Sequence, residues 1–187
     1  MRTFFLTLTI FVISLLFYGL TMKGSMGNYK TVAEFQKFTA ATRPFESSHE
    51  RATFSQTVAM LSLHRFDLPK DYADFSAPDV GYLKGKFYSY FPPGISYLIM
   101  PLYILGTSLN INMLLAYATI PLCTALSLIF LFLIARHTLR LPLWTSLASV
   151  MIFGFATTSW SYAITIYQHS ITTLLLLLTF YMVWRYK

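Results

Sequence analysis

Long apolar runs alternate with one extended polar stretch, and the run lengths set the reading. Residues 4–20 are apolar, preceded by Arg2 and followed by Lys23. That run approaches the roughly 20 residues a helix needs to cross a bilayer. No small-x-small cleavage pattern precedes Lys23, so it reads as an uncleaved anchor rather than a signal peptide. Residues 21–93 are polar and hold every acid in the chain: Glu34, Glu46, Glu50, Asp67, Asp71, Asp74 and Asp79. Carboxylate chemistry, if the chain performs any, belongs to this loop.

Residues 94–106 form a short apolar run, of the length that marks an interfacial or re-entrant segment rather than a span. Residues 112–135 are long enough to cross, and the basic connector Arg136-His137-Thr138-Leu139-Arg140 follows. From Leu141 to Trp184 there is no Asp, Glu, Lys or Arg. At about 1.5 Å per residue this stretch exceeds twice the roughly 30 Å bilayer core, so it must fold back. The polar cluster Thr157-Thr158-Ser159-Trp160-Ser161-Tyr162 is the expected turn, which gives spans at 142–158 and 162–184. If 94–106 lies at the interface, then Arg2, the Arg136/Arg140 connector and the Arg185/Lys187 end share one side. That side is the cytoplasm by the positive-inside rule. The expectation is an all-α integral membrane protein with about four crossings and a large extracytoplasmic loop.

Composition agrees on the solvent. Hydrophobic residues make up 56% and charged residues 11%, against about 25% charged in an ordinary soluble domain. The net charge of +7 does not gather into a stripe, so anchoring Lys and Arg explain it better than nucleic acid does. The single Cys123 lies in an apolar run and can form no intrachain disulfide. Walker, GxSxG and CxxC motifs do not occur, which removes ATPase, lipase and thiol-redox readings.

Inside the loop, Ser47-Ser48-His49-Glu50 opens a helical pattern over 48–64, with Phe54, Val58 and Leu61 on one apolar face. Glu50 falls close to that face. Ser47-x-x-Glu50 fits a capping box; a carboxylate against a membrane-facing cleft could equally serve as a base with a raised pKa. Pro69 discourages helix before it. Residues 80–91 read as a hairpin turning at Lys84-Gly85, rich in aromatics at Tyr82, Phe87, Tyr88 and Tyr90. Pro92-Pro93 then opens the interfacial helix. His169, expected about two turns into the last apolar run, is an ionisable residue at membrane depth and so a candidate site residue.

Three stretches, SSHERATFSQTVAMLSLHRFDL, GKFYSYFPPGISYLIMPLYILG and TTSWSYAITIYQHSITTLLLLL, in this order resemble the N-terminal part of GT-C-fold membrane glycosyltransferases. That group includes the protein O-mannosyltransferases and aminoarabinose transferases. The resemblance implies transfer of a sugar from a polyprenyl-phosphate donor to an acceptor at the outer face of a prokaryotic cytoplasmic membrane. It implies Glu50 as general base with His49 as helper, and Arg51 and Lys86 as phosphate contacts. Tyr88, Tyr90 and His169 are the further substrate contacts under the same reading, and a divalent metal beside the departing phosphate is one way to meet its charge. Where relatives carry an Asp or Asp-Glu pair this chain has His49-Glu50, and where many carry Lys before the prolines it has Tyr90-Phe91. Four crossings are few for such an enzyme, so the chain is expected to be the N-terminal piece of a longer one. The competing class is a non-catalytic membrane protein that binds lipid or a partner through its extracytoplasmic loop. The spans show no inverted repeat, which argues against a transporter.

Overall fold

The computed structural model describes residues 2–35 and 44–186. Lys187 of the basic C-terminal pair and part of the polar loop lie outside the described residues. The fold is mostly helical with one small hairpin, and it divides into two compact units. One, the apolar unit, comprises Met1–Met22, Ile120–Ile164 and Gln168–Lys187; the other, the loop unit, comprises Lys23–Thr119 and Thr165–Tyr167.

The apolar unit contains α1 (Arg2–Thr21), most of α6 (Asn112–Leu133), α7 (Leu143–Phe155), the short α8 (Ser159–Ala163) and α9 (His169–Tyr186). Among the described residues two helices are long and apolar enough to cross a membrane, Thr3–Thr21 and Asn112–Thr138. The second includes a π turn at Ile134–Thr138, where Arg136 Nη1 donates to the Leu141 carbonyl at 2.8 Å. The α7 helix is shorter, and α9 carries His169 and Arg185 near its ends. Ile10, Tyr18, Leu128, Phe132, Val150 and Ala163 form the buried core. Tyr18 stacks on Phe155 at 5.4 Å and donates its hydroxyl to the Gly154 carbonyl at 2.9 Å. Outward, α1 leaves Phe4, Phe5, Leu16 and Leu20 exposed. An apolar face of this extent suits lipid rather than water.

The two largest departures from the sequence reading are in the apolar unit. The third apolar helix covers Leu143–Phe155 rather than 142–158, and the fourth begins at His169 rather than at residue 162. The cause is local: the polar cluster does not make a single turn but a separate short helix, Ser159–Ala163. Thr157 supports its start, its hydroxyl donating to the Phe153 carbonyl at 2.6 Å and accepting from the Ser159 amide at 3.1 Å. His169 therefore opens α9 and does not lie two turns into it.

The loop unit holds α2 (Val32–Phe35), α3 (Ser48–Ser62), α4 (Lys70–Ser76), the hairpin β1 (Val80–Leu83) and β2 (Lys86–Ser89), α5 (Gly94–Ser108) and the first turns of α6. The strands pair antiparallel with Leu83 opposite Lys86. Lys84 and Gly85 both take positive φ, 49° and 79°, as a two-residue hairpin turn of the type matched to strand twist requires. The α3 helix runs through the unit's centre, with Ala52, Phe54, Val58 and Ala59 fully buried. The α5 helix continues through Pro101. It ends where Gly106 meets the following turn, the Ile111 amide donating to the Gly106 carbonyl at 2.8 Å.

Candidate functional site

The first turn of α3 is the junction of the loop unit. Ser47 is extended at the N-cap and its side chain accepts from the Glu50 amide, while the Glu50 carboxylate accepts from the Ser47 amide, completing the capping box. Local sequence alone dictates this much. Four further contacts bring distant chain to the same turn. Tyr167 Oη donates to Ser47 Oγ at 2.9 Å, and Ser48 Oγ donates to Asp79 Oδ2 at 2.5 Å. The His49 ring stacks on Phe91 at 3.6 Å between centroids and meets Tyr167 edge-on at 4.8 Å. The residue before Pro92-Pro93 thus lies directly against the turn that carries the acid.

Glu50 is completely buried. Its Oε2 accepts from the Glu46 amide at 2.5 Å and the Ser47 amide at 3.2 Å; its Oε1 accepts from the Ile166 amide at 3.1 Å. Tyr117 Oη lies 3.4 Å from Oε1 and 2.9 Å from the Pro44 carbonyl. With one proton, the phenol can donate to only one of these acceptors at a time. Burial pushes the Glu50 carboxyl above its ordinary value, the three amides pull it back, and the Glu46 charge pushes it further up. A carboxyl in this setting holds a proton more readily than a solvated one, which suits either a base or a buried anchor. Its saturated partners mean that an acceptor hydroxyl could reach it only by displacing one of them.

The other expected site residues are distributed over the unit. Arg51 lies over the Phe75 ring at 5.8 Å and donates through Nη2 to the Ala77 carbonyl at 3.1 Å. Lys86 is exposed, with Nζ 3.7 Å from Asp67 Oδ1, and Arg65 pairs with Asp67 through its other oxygen. That guanidinium holds the Asp67 carboxyl below its usual range. Tyr88 is half-buried opposite Gly81, whereas Tyr90 is exposed and edge-on to Phe91. His49, Glu50 and Arg51 are consecutive at the junction, while Lys86 is engaged with Asp67.

His169 belongs to the apolar unit, in ring contact with Tyr162 at 4.4 Å. Sequence reasoning missed Tyr117, Ile166, Tyr167, Phe91 and Asp79 as partners of the junction. Only Tyr117 and Tyr167, polar groups inside apolar runs, gave any signal. Among the described residues no group of three His, Cys, Asp or Glu is arranged to hold a metal ion. Compared with protein-family models, curated proteins and solved structures, the chain matches none.

Proposed function

We propose that the chain is part of a membrane glycosyltransferase that moves a sugar from a polyprenyl-phosphate donor to an acceptor at the extracytoplasmic face of a prokaryotic cytoplasmic membrane. Four crossings, by α1, α6, α7 and α9, put the loop unit outside and the basic connector within. The observation that carries the reading is the stacking of His49 on Phe91. It joins in space the two stretches, separated in sequence, on which the resemblance chiefly rests.

In this reading Glu50 accepts the proton of the attacking hydroxyl, and His49 beside it assists or takes its place. A donor with a long lipid tail needs a site at the bilayer surface, and the exposed Lys86 and Tyr90 offer a point charge and an amphipathic ring there. Arg51 is the second phosphate contact, and it must leave the Ala77 carbonyl to act. Tyr88 completes the substrate contacts within the loop unit.

One observation favours the non-catalytic alternative: Glu50 is buried with both oxygens occupied by backbone amides. In that reading the junction is purely structural, and the loop unit binds lipid or a partner without turnover. Purified protein in nanodiscs, given labelled polyprenyl-phosphate sugars, separates the two. Transfer that Glu50→Gln abolishes while donor binding persists supports the enzyme and its base. Donor binding without turnover by the wild type supports the alternative.

A further inference from the structure

A cavity of about 200 Å³ lies within the apolar unit, among α6, α7, α8 and α9. At roughly 30 Å³ per water it has the room of several water molecules. Its wall is unusual for a helical interior facing lipid: hydroxyl side chains line most of it, His169 adds an imidazole, and none of the lining residues is a carboxylate or a Lys or Arg.

Four of the hydroxyls have a common polarity. Thr124 donates to the Ile120 carbonyl at 3.0 Å and Ser127 to the Cys123 carbonyl at 2.9 Å. Thr157 donates to the Phe153 carbonyl at 2.6 Å and Ser170 to the Tyr162 carbonyl at 3.2 Å. Each has spent its only proton on backbone, so each turns oxygen lone pairs, not a hydrogen, toward a ligand. Thr124, Ser127 and Ser170 are buried. This part of the wall therefore suits a molecule that brings several donors of its own, and the His169 imidazole beside it can pair with a hydroxyl of the same molecule.

Two ligand chemistries supply donors to such a wall, a cation and a neutral polyol. A cation would enter a cavity without a carboxylate to balance it, and burying an uncompensated charge is costly. A neutral polyol carries a donor on each hydroxyl and replaces several waters with one rigid frame. Its apolar C–H face can lie against the Phe153 and Tyr162 rings that share the wall. We propose that this cavity is a binding site for a single neutral polyhydroxylated ring of monosaccharide size, held by acceptor hydroxyls of α6, α9 and the connection between α7 and α8. The site rests on the cavity's own geometry and stands whether or not Glu50 acts as a base.

The test uses the full chain in nanodiscs and saturation-transfer NMR with the methyl glycosides of glucose, mannose, galactose and N-acetylglucosamine, and with sodium and ammonium chloride as the cation probes. Thr124→Val removes one acceptor at constant shape, and Ser127→Leu fills the cavity. The expected result is saturable binding of at least one glycoside, weakened about tenfold by Thr124→Val, the worth of one hydrogen bond, and abolished by Ser127→Leu. Both variants must melt as the wild type does; if Ser127→Leu does not fold, Thr124→Val carries the comparison. No saturable binding of any of the four glycosides overturns the proposal. So does binding that the folded variants leave unchanged, or saturation by a cation instead. Sugar transfer that survives Ser127→Leu would remove the cavity from the reaction and leave the transferase reading intact, and donor transfer lost only in Glu50→Gln does not touch the cavity.

Discussion

Glu50 Oε1 accepts the backbone amide of Ile166 at 3.1 Å, across 116 residues of chain. The contact ties the three-residue segment Thr165–Tyr167, which interrupts the apolar part of the sequence, into the loop unit. It also explains why Glu50 sits on the helix face that sequence periodicity marks as apolar. The carboxylate is the acceptor for three amides, of which that of Ile166 is buried and those of Glu46 and Ser47 partly so.

Removing that acceptor should be costly. Glu50→Ala leaves the Glu46, Ser47 and Ile166 amides unserved, and bonds to charged groups contribute about 1.5–3 kcal/mol each. A loss of about 3 kcal/mol or more is expected for the variant in detergent denaturation. Glu50→Gln keeps an oxygen for Ile166 but faces the other two amides with an NH₂ group, so it should lose roughly half as much. Equal stability of all three proteins would show that the junction bears no load.

The pH dependence of stability follows from two carboxyls with opposite shifts. Glu50 is raised from 4.5, so the folded state binds its proton more tightly than the unfolded chain does. Its contribution is full below 4.5 and is lost as pH rises through the raised value. Asp67 is lowered from 3.8, so its contribution is present above 3.8 and lost as pH falls through the depressed value. Thermal melts should therefore peak in mildly acid solution and decline on both sides. In Glu50→Gln the decline toward neutrality should flatten, and an unchanged slope there would contradict the burial of this group.

Gly106 is required by close approach. A Cβ added to it would lie 2.6 Å from the Asn112 Cα and 2.9 Å from the Ile111 carbonyl oxygen. Backbone cannot yield as a side-chain tip can, so Gly106→Ala should cost about 1–3 kcal/mol as overpacking. Gly94→Ala, with nothing near its Cβ, is the control and should melt with the wild type.

In the apolar unit Tyr18→Phe removes the hydroxyl that reaches the Gly154 carbonyl at 2.9 Å and leaves the stacking on Phe155. The expected loss is about 1 kcal/mol, one hydrogen bond. Tyr18→Ala removes the ring as well and should cost about 3–5 kcal/mol. Similar melting of the two variants would mean that the ring contributes nothing to this core.

What the sequence discloses is what local chemistry controls. The Ser47-x-x-Glu50 box and the Lys84-Gly85 turn depend on neighbours within four residues, and both occur where their spacing puts them. The long apolar helices follow from run length. His169 is displaced because Thr157 and Ser159 nucleate an extra short helix, a competition between turn and helix that periodicity does not resolve. The partners of Glu50 leave no pattern at all: Ile166 offers a backbone amide, which every residue but proline has, and Phe91 differs from its aromatic neighbours only by position in the fold. The candidate acid and its place near the apolar face were legible, but the partners that hold it there were not.

The most direct measurement is transfer itself. Wild-type protein in nanodiscs, supplied with radiolabelled polyprenyl-phosphate sugars and a membrane extract as acceptor source, should release polyprenyl phosphate and label an acceptor. Glu50→Gln, still folded and still binding the donor, should not. Saturable donor binding with no release of polyprenyl phosphate by the wild type, or no binding of the lipid-linked sugar at all, would contradict the transferase account.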